Sequence, residues 1–134
     1  MKAADTSIVV AAFASWHEHH EAARRALDGG VRLIEHCALE TYSVLTRLPP
    51  PHRSPGAVVR DFIRIRFPQP FLRLSVPAYK AFLLGLPEHD VAGGATYDAL
   101  VAATAAASRA ELVTCDRRAA PVYESYGVQT RFLA

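Results

Sequence analysis

Short apolar runs of strand length alternate with helix-period stretches along most of this chain, which predicts an α/β domain: a short, mainly parallel sheet with helices on both faces. The most apolar stretch is Ala95–Ala107, where alanines, Leu100 and Val101 leave hardly any polar face and a buried helix is expected. Gly93 and Gly94 form a hinge before it. Glu111–Thr114 follows as a short strand that delivers Asp116 at its carboxyl end, where open α/β sheets bind their ligands.

Elsewhere the pattern is less decisive. Residues 8–10 are rich in β-branched side chains, so propensity favours a strand there. The rival reading ends a short strand at Asp5 and starts a helix near Ser7, with Thr6 or Ser7 as cap. Periodicity does not separate the two. A helix is expected over residues 16–28, capped by Ser15, with Glu18 and Glu21 early and Arg24 and Arg25 late to match the macrodipole. Residues 31–34 read as a strand, and about 38–48 as a helix ended by Pro49, Pro50 and Pro51. Ser54-Pro55 begins a helix to about Arg66, with Pro at its first position. Residues 71–76 alternate weakly as a strand, Pro77 opens a helix, and residues 87–94 form a loop. A helix over 119–126, stopped by Gly127, and a strand over 128–132 complete the expectation.

With 134 residues the chain is expected to form one domain, 1–134, with a core of its own. At 51% hydrophobic and 21% charged residues, it is not a disordered chain. The longest apolar run, residues 8–14, is too short to span a bilayer, and Asp5 spoils a secretory signal, so a cytoplasmic protein with no membrane partner is expected. Cys37 and Cys115 match no zinc spacing and are expected as free thiols. The net charge of +2 hides an asymmetry, because gathering four of the thirteen acids into one metal site leaves nine acids against fifteen bases. That remainder suits a polyanion. Arg outnumbers Lys by thirteen to two, which favours bidentate phosphate contacts, although genomic base composition gives the same bias.

Asp98 is the least comfortable residue in its apolar helix. A buried carboxylate needs a cation, a hydrogen-bond network or a ligand, and no Lys or Arg lies between it and Arg109. Glu40 shares a helix face with Cys37, Val44 and Leu48 and is a second acid directed inward. The plainer readings make Asp98 an acid favoured by a helix N-terminus, Asp116 an N-cap, and Glu40 a surface partner of Arg47. They are preferred for Asp98 or Asp116 taken singly, and the two readings of Glu40 weigh equally. Taken together with Asp5 at the end of a first strand, the four acids fall on one rim of a parallel sheet, where they cannot remain unneutralised. Mg²⁺ or Mn²⁺ with oxygen ligands is the natural answer, and phosphodiester hydrolysis the corresponding chemistry. His17, His19 and His20 lack an obvious third metal ligand and read as a solvated helix face. Arg53, Arg60 and Arg64 read as a basic face, more ordinarily solvated than nucleic-acid binding.

The chain resembles the PIN-domain family, in particular the VapC toxins of bacterial toxin–antitoxin pairs. The resemblance rests on DTSIVVAAF, ALETYSVLTRL, GGATYDALVAATA and LVTCDRRAAPVYESYGV, whose order and spacing cover nearly the whole chain. It implies a PIN-like three-layer α/β fold and a metal-dependent endoribonuclease acting on RNA and inhibited by a cognate, adjacently encoded antitoxin. Asp5, Asp98 and Asp116 would hold Mg²⁺ or Mn²⁺, while Glu40 completes the shell or orients the attacking water. Ser7 and Thr114 would steady the carboxylates. The resemblance also ends the first strand at Asp5 and begins a helix after it. Apolar residues Val10, Phe13, Trp16 and Phe67 would leave a groove for the antitoxin, and a homodimer is a further expectation. The chain departs from the family in carrying Ala119 and Ala120 where an aromatic residue often follows the last acid. The competing readings are a non-cleaving RNA- or protein-binding module of the same fold and a nuclease acting on DNA.

Overall fold

The computed structural model describes Met1–Leu133. Four short strands, β1 (Lys2–Ala4), β2 (Val31–Leu33), β3 (Glu111–Thr114) and β4 (Thr130–Phe132), form one sheet in the order β2-β1-β3-β4. Every pairing is parallel, with Ala4 opposite Leu33 on one side and Val113 on the other. Successive strand residues face opposite sides of a sheet. Ala3 and Ala4 are both fully buried, as are Leu112, Val113 and Thr114 to within 1%, so both faces of the central strands are covered.

The helices are α1 (Thr6–Phe13), α2 (His20–Asp28), α3 (Glu35–Arg47), α4 (Gly56–Arg66), α5 (Val76–Leu84), α6 (Ala95–Ala107) and α7 (Ala120–Ser125). Two 3₁₀ turns, Leu86–His89 and Arg117–Ala119, precede α6 and α7 respectively. One buried cluster draws on residues from Ala3 to Val128, with Ile8, Leu33, Leu112 and Tyr123 among its larger members. No helix among the described residues is long and apolar enough to cross a membrane.

The strand that propensity favours at residues 8–10 is helix, as the family resemblance implied. The helix is capped by Asp5, not by Thr6 or Ser7: the Asp5 carboxylate accepts the Ile8 amide at 3.3 Å. Local β propensity loses because burial of Ile8, Val9, Ala11 and Ala12 against the sheet decides the conformation. The second helix starts at His20, four residues later than expected, since the chain turns after α1 and the His19 amide donates to His17 Nδ1 at 3.0 Å. His17 and His19 therefore lie in a turn, and only His20 is helical. The expected strand over 71–76 shrinks to a single bridge between Ile34 and Leu72. Leu72 donates to Leu33 and accepts from Glu35, each at 2.9 Å, and no neighbouring strand continues the ladder.

Candidate active site

A parallel sheet gathers the carboxyl ends of its strands on one edge, and three chain turns meet there. Asp5 follows β1, α3 follows β2, and Asp116 follows β3. The N-terminal turn of α6 supplies Asp98 to the same place. Asp5, Glu40, Asp98 and Asp116 consequently line one cleft of about 150 Å³, together with Ser7, His36, Tyr97, Arg118 and Tyr123. The plainer roles of two acids also hold, since Asp116 is an N-cap and Asp98 sits in a helix's first turn.

Asp5 is only 3% exposed, and a hydrogen-bond network holds it. Ser7 Oγ donates to Asp5 Oδ1 at 2.5 Å, and the buried Tyr123 hydroxyl donates to Oδ2 at 2.9 Å. Burial pushes the Asp5 carboxyl above its ordinary range, while Ser7, Thr114, Tyr123 and the Ile8 amide pull it back. Ser7 Oγ also accepts the Cys115 amide at 2.8 Å and lies 3.3 Å from Thr114 Oγ1, which in turn accepts the Asp116 amide at 2.9 Å. Two hydroxyls thus tie the loop after β1 to the loop after β3. The neighbouring thiols take no part as thiolates. Burial, and then the Asp5 charge, pushes Cys115 up to about 11 and Cys37 higher still, so both stay protonated at neutral pH.

Asp98 and Asp116 share a cation that the sequence reading missed. The Arg118 amide donates to Asp116 Oδ1 at 3.0 Å, and its guanidinium reaches Asp116 Oδ2 at 3.1 Å and Asp98 Oδ2 at 3.6 Å. Burial raises the Asp98 carboxyl, Arg118 opposes that rise, and the charges of Asp116 and Glu40 add to it. The only clue in the sequence is that Arg118 stands two residues beyond the strand-end acid, within reach of its own loop.

Glu40 faces the cleft from α3, partly exposed, and its partner is not Arg47, which donates to Ser43 Oγ instead. His36, one turn earlier, places Nε2 3.5 Å from Glu40 Oε2, and the His36 ring is the largest cause of the lowered Glu40 pKa, partly offset by desolvation. The His36 ring also stacks on Tyr97, with centroids 5.3 Å apart and planes 5° from parallel. Among the described residues, no three His, Cys, Asp or Glu side chains are drawn together closely enough to hold a metal ion in this arrangement.

The family comparison agrees with this geometry. The PIN domain family matches the chain over residues 3–124, a span that contains all four acids and the sheet from β1 to β3. The chain belongs to the PIN-domain family. This PIN domain is 52% identical over 133 residues to "Ribonuclease VapC40" of Mycobacterium tuberculosis, covering 99% of both chains. It is 40% identical to "Ribonuclease VapC27" of the same organism, covering 94% of this chain and 92% of the relative.

Of the four residues expected to leave a groove for a partner, Phe67 lines one, and Val10, Phe13 and Trp16 do not. In this PIN domain Phe67 is 6% exposed, Phe13 packs edge-on to Phe62 at 5.3 Å, and the half-exposed Trp16 lies tilted against His52, with ring centroids 4.4 Å apart. An open groove of about 1120 Å³ runs between α3 and α4, lined by Leu39, Tyr42, Ile63, Phe67 and Phe71 among others. Arg60 and Arg64 border it, both bonded to Asp61, while Arg53 donates to the Leu48 carbonyl. Their charge is therefore partly spent within the fold.

Proposed function

We propose that this PIN domain is a metal-dependent endoribonuclease that hydrolyses RNA phosphodiester bonds, and that it is the toxin of a toxin–antitoxin pair. The observation that carries the reading is the convergence of Asp5, Glu40, Asp98 and Asp116, from four separate segments, on one cleft. The names of the two ribonuclease relatives support the same substrate class. One nuclease domain over residues 1–134 is the corresponding organisation, supported by a single buried cluster reaching from Ala3 to Val128. An RNA target inside the cell makes the cytoplasm the place of action.

The donor set fits a hard divalent ion, Mg²⁺ or Mn²⁺: four carboxylates, no thiolate, and a cation already drawn to two of the acids. Asp5, Asp98 and Asp116 would hold the ion, with Glu40 completing the shell. When bound, such an ion lowers the pKa of a water and stabilises charge on the transferring phosphate. The chain's own residues set the rest. Ser7 and Tyr123 fix both oxygens of Asp5, so that ligand is oriented before substrate arrives. Glu40, ionised and held below its usual range by His36, is a weak base and serves to orient the attacking water. The Arg118 guanidinium, 74% exposed, is free to swing from the acids toward a phosphate, which its fork matches bidentately.

A cognate antitoxin is the proposed protein partner, with the apolar α3–α4 groove as a surface able to receive an amphipathic helix, and self-association as a homodimer is part of the same proposal. The test of the enzyme is cleavage of RNA by the purified chain with Mg²⁺ or Mn²⁺, abolished by EDTA and by Asp5→Ala, with DNA run in parallel. Binding without cleavage would favour a non-cleaving module.

A further inference from the structure

The cleft that holds the acids is small. At about 150 Å³ it falls below the roughly 300–1,000 Å³ of sites that engulf a small organic ligand. A phosphodiester and a few waters fit inside, but the base of a nucleotide has to lie outside on the rim. The rim offers one aromatic surface that is both exposed and fixed. Tyr97 is 56% exposed, and one face of its ring is backed by His36 in a parallel stack. The Glu40 carboxylate lies at the edge of the His36 ring, 3.5 Å from Nε2.

Position limits which base can land on this ring. Tyr97 and Asp98 are consecutive, with Cα atoms about 3.8 Å apart, so a phosphate at Asp98 places its own or the adjoining nucleotide against Tyr97. Aromatic side chains bind unpaired bases by stacking on either π-face, whereas bases within a duplex are already stacked on each other.

We propose that Tyr97, backed by His36, is the platform on which an unpaired base flanking the scissile phosphate stacks. The role is substrate binding, and it rests on the nuclease reading above. Tyr97 contributes its ring and not its hydroxyl, so Tyr97→Phe preserves the site and Tyr97→Ala removes it.

The experiment uses the full chain and a short single-stranded oligoribonucleotide carrying 2-aminopurine beside the scissile phosphate. Binding is read by quenching of its fluorescence, in the Asp98→Asn background so that cleavage does not interfere, and steady-state cleavage is read with the parent acids and Mg²⁺. Tyr97→Ala should abolish the quench and raise KM about tenfold or more, the scale of one lost base–aromatic stack, while kcat and the melting temperature stay near the parent values. Tyr97→Phe should keep both quench and KM. An undiminished quench and unchanged KM in Tyr97→Ala would overturn the proposal, as would a loss confined to kcat, which would instead mean that Tyr97 acts on Glu40 through His36. Failure of the nuclease reading is distinguishable: the chain would then cleave nothing, while the quench still reports whether Tyr97 stacks the base.

Discussion

Tyr123 and Asp5 are 118 residues apart in sequence, and the tyrosine hydroxyl donates to Asp5 Oδ2 at 2.9 Å with both side chains buried. The bond partly offsets the burial of a carboxylate whose pKa is raised on folding. A raised folded pKa means that the native state binds more protons than the unfolded chain, so metal-free stability falls as pH rises from the ordinary carboxylate pKa of 3.8 through the folded value. Tyr123→Phe raises that folded pKa further. It should cost about 2 kcal/mol where Asp5 is ionised, the scale of a hydrogen bond to a charged group, and less where the carboxyl is protonated. Urea melts in EDTA at pH 4 and pH 7 check this; an equal loss at both would separate Tyr123 from the Asp5 charge.

Arg118 makes a second prediction. Its guanidinium sits against the two acids that would share a divalent ion, so ion and arginine compete for the same oxygens. Arg118→Ala should bind Mg²⁺ several-fold more tightly by calorimetry. Because the side chain is largely exposed, its removal should shift metal-free stability little. Weaker Mg²⁺ binding in the variant would show that Arg118 organises the acids instead of shielding them.

Asp98→Asn removes one of the crowded charges at nearly constant volume. Burial outweighs the help from Arg118 in setting the Asp98 pKa, so the metal-free variant should melt at or above the parent temperature. Saturating Mg²⁺ or Mn²⁺ should raise the melting temperature of the parent by mass action and do much less for the variant, whose amide is a poorer ligand. A variant that melts well below the parent in EDTA would make Asp98 a structural partner of Arg118.

The α3–α4 groove gives a prediction about association. Co-expression with the product of an adjacent gene should yield a stable complex with reduced nuclease activity, and Leu39→Asp, at a residue 71% exposed on that groove, should weaken the complex without unfolding the chain. Separate elution of the two proteins with unaltered activity would exclude that partner.

The sequence made the α/β alternation legible because β3 and α6 carry strong, differently spaced apolar patterns; both are found at the expected bounds. The resemblance to the PIN family resolved the ambiguity at Ile8–Val10, where propensity misled because tertiary burial governs that turn of chain. The start of α3 was not legible, since Ile34 precedes it and supplies no side-chain cap. Nor was the alliance of Asp5 with Tyr123, of Asp98 with Arg118, or of His36 with Tyr97. Each joins residues at least 20 positions apart, and nothing local encodes such pairs. Asp98 and Glu40 were named because acids are misplaced in apolar settings, and Asp5 and Asp116 for their places at strand ends, with the family resemblance joining the four; their partners are ordinary residues in ordinary places.

The most direct measurement is Mg²⁺-dependent cleavage of RNA by the purified chain and by Asp116→Asn, each with and without EDTA. Asp116 is the acid to change, because it is less buried than Asp5 and its amide isostere can still accept the Arg118 amide. A metal-dependent four-carboxylate site predicts internal cleavage by the parent in Mg²⁺, none in EDTA, and a loss of at least about a hundredfold in the folded variant, the scale of removing one well-placed charged group from a transition-state site. Cleavage that persists undiminished in EDTA or in Asp116→Asn would contradict it.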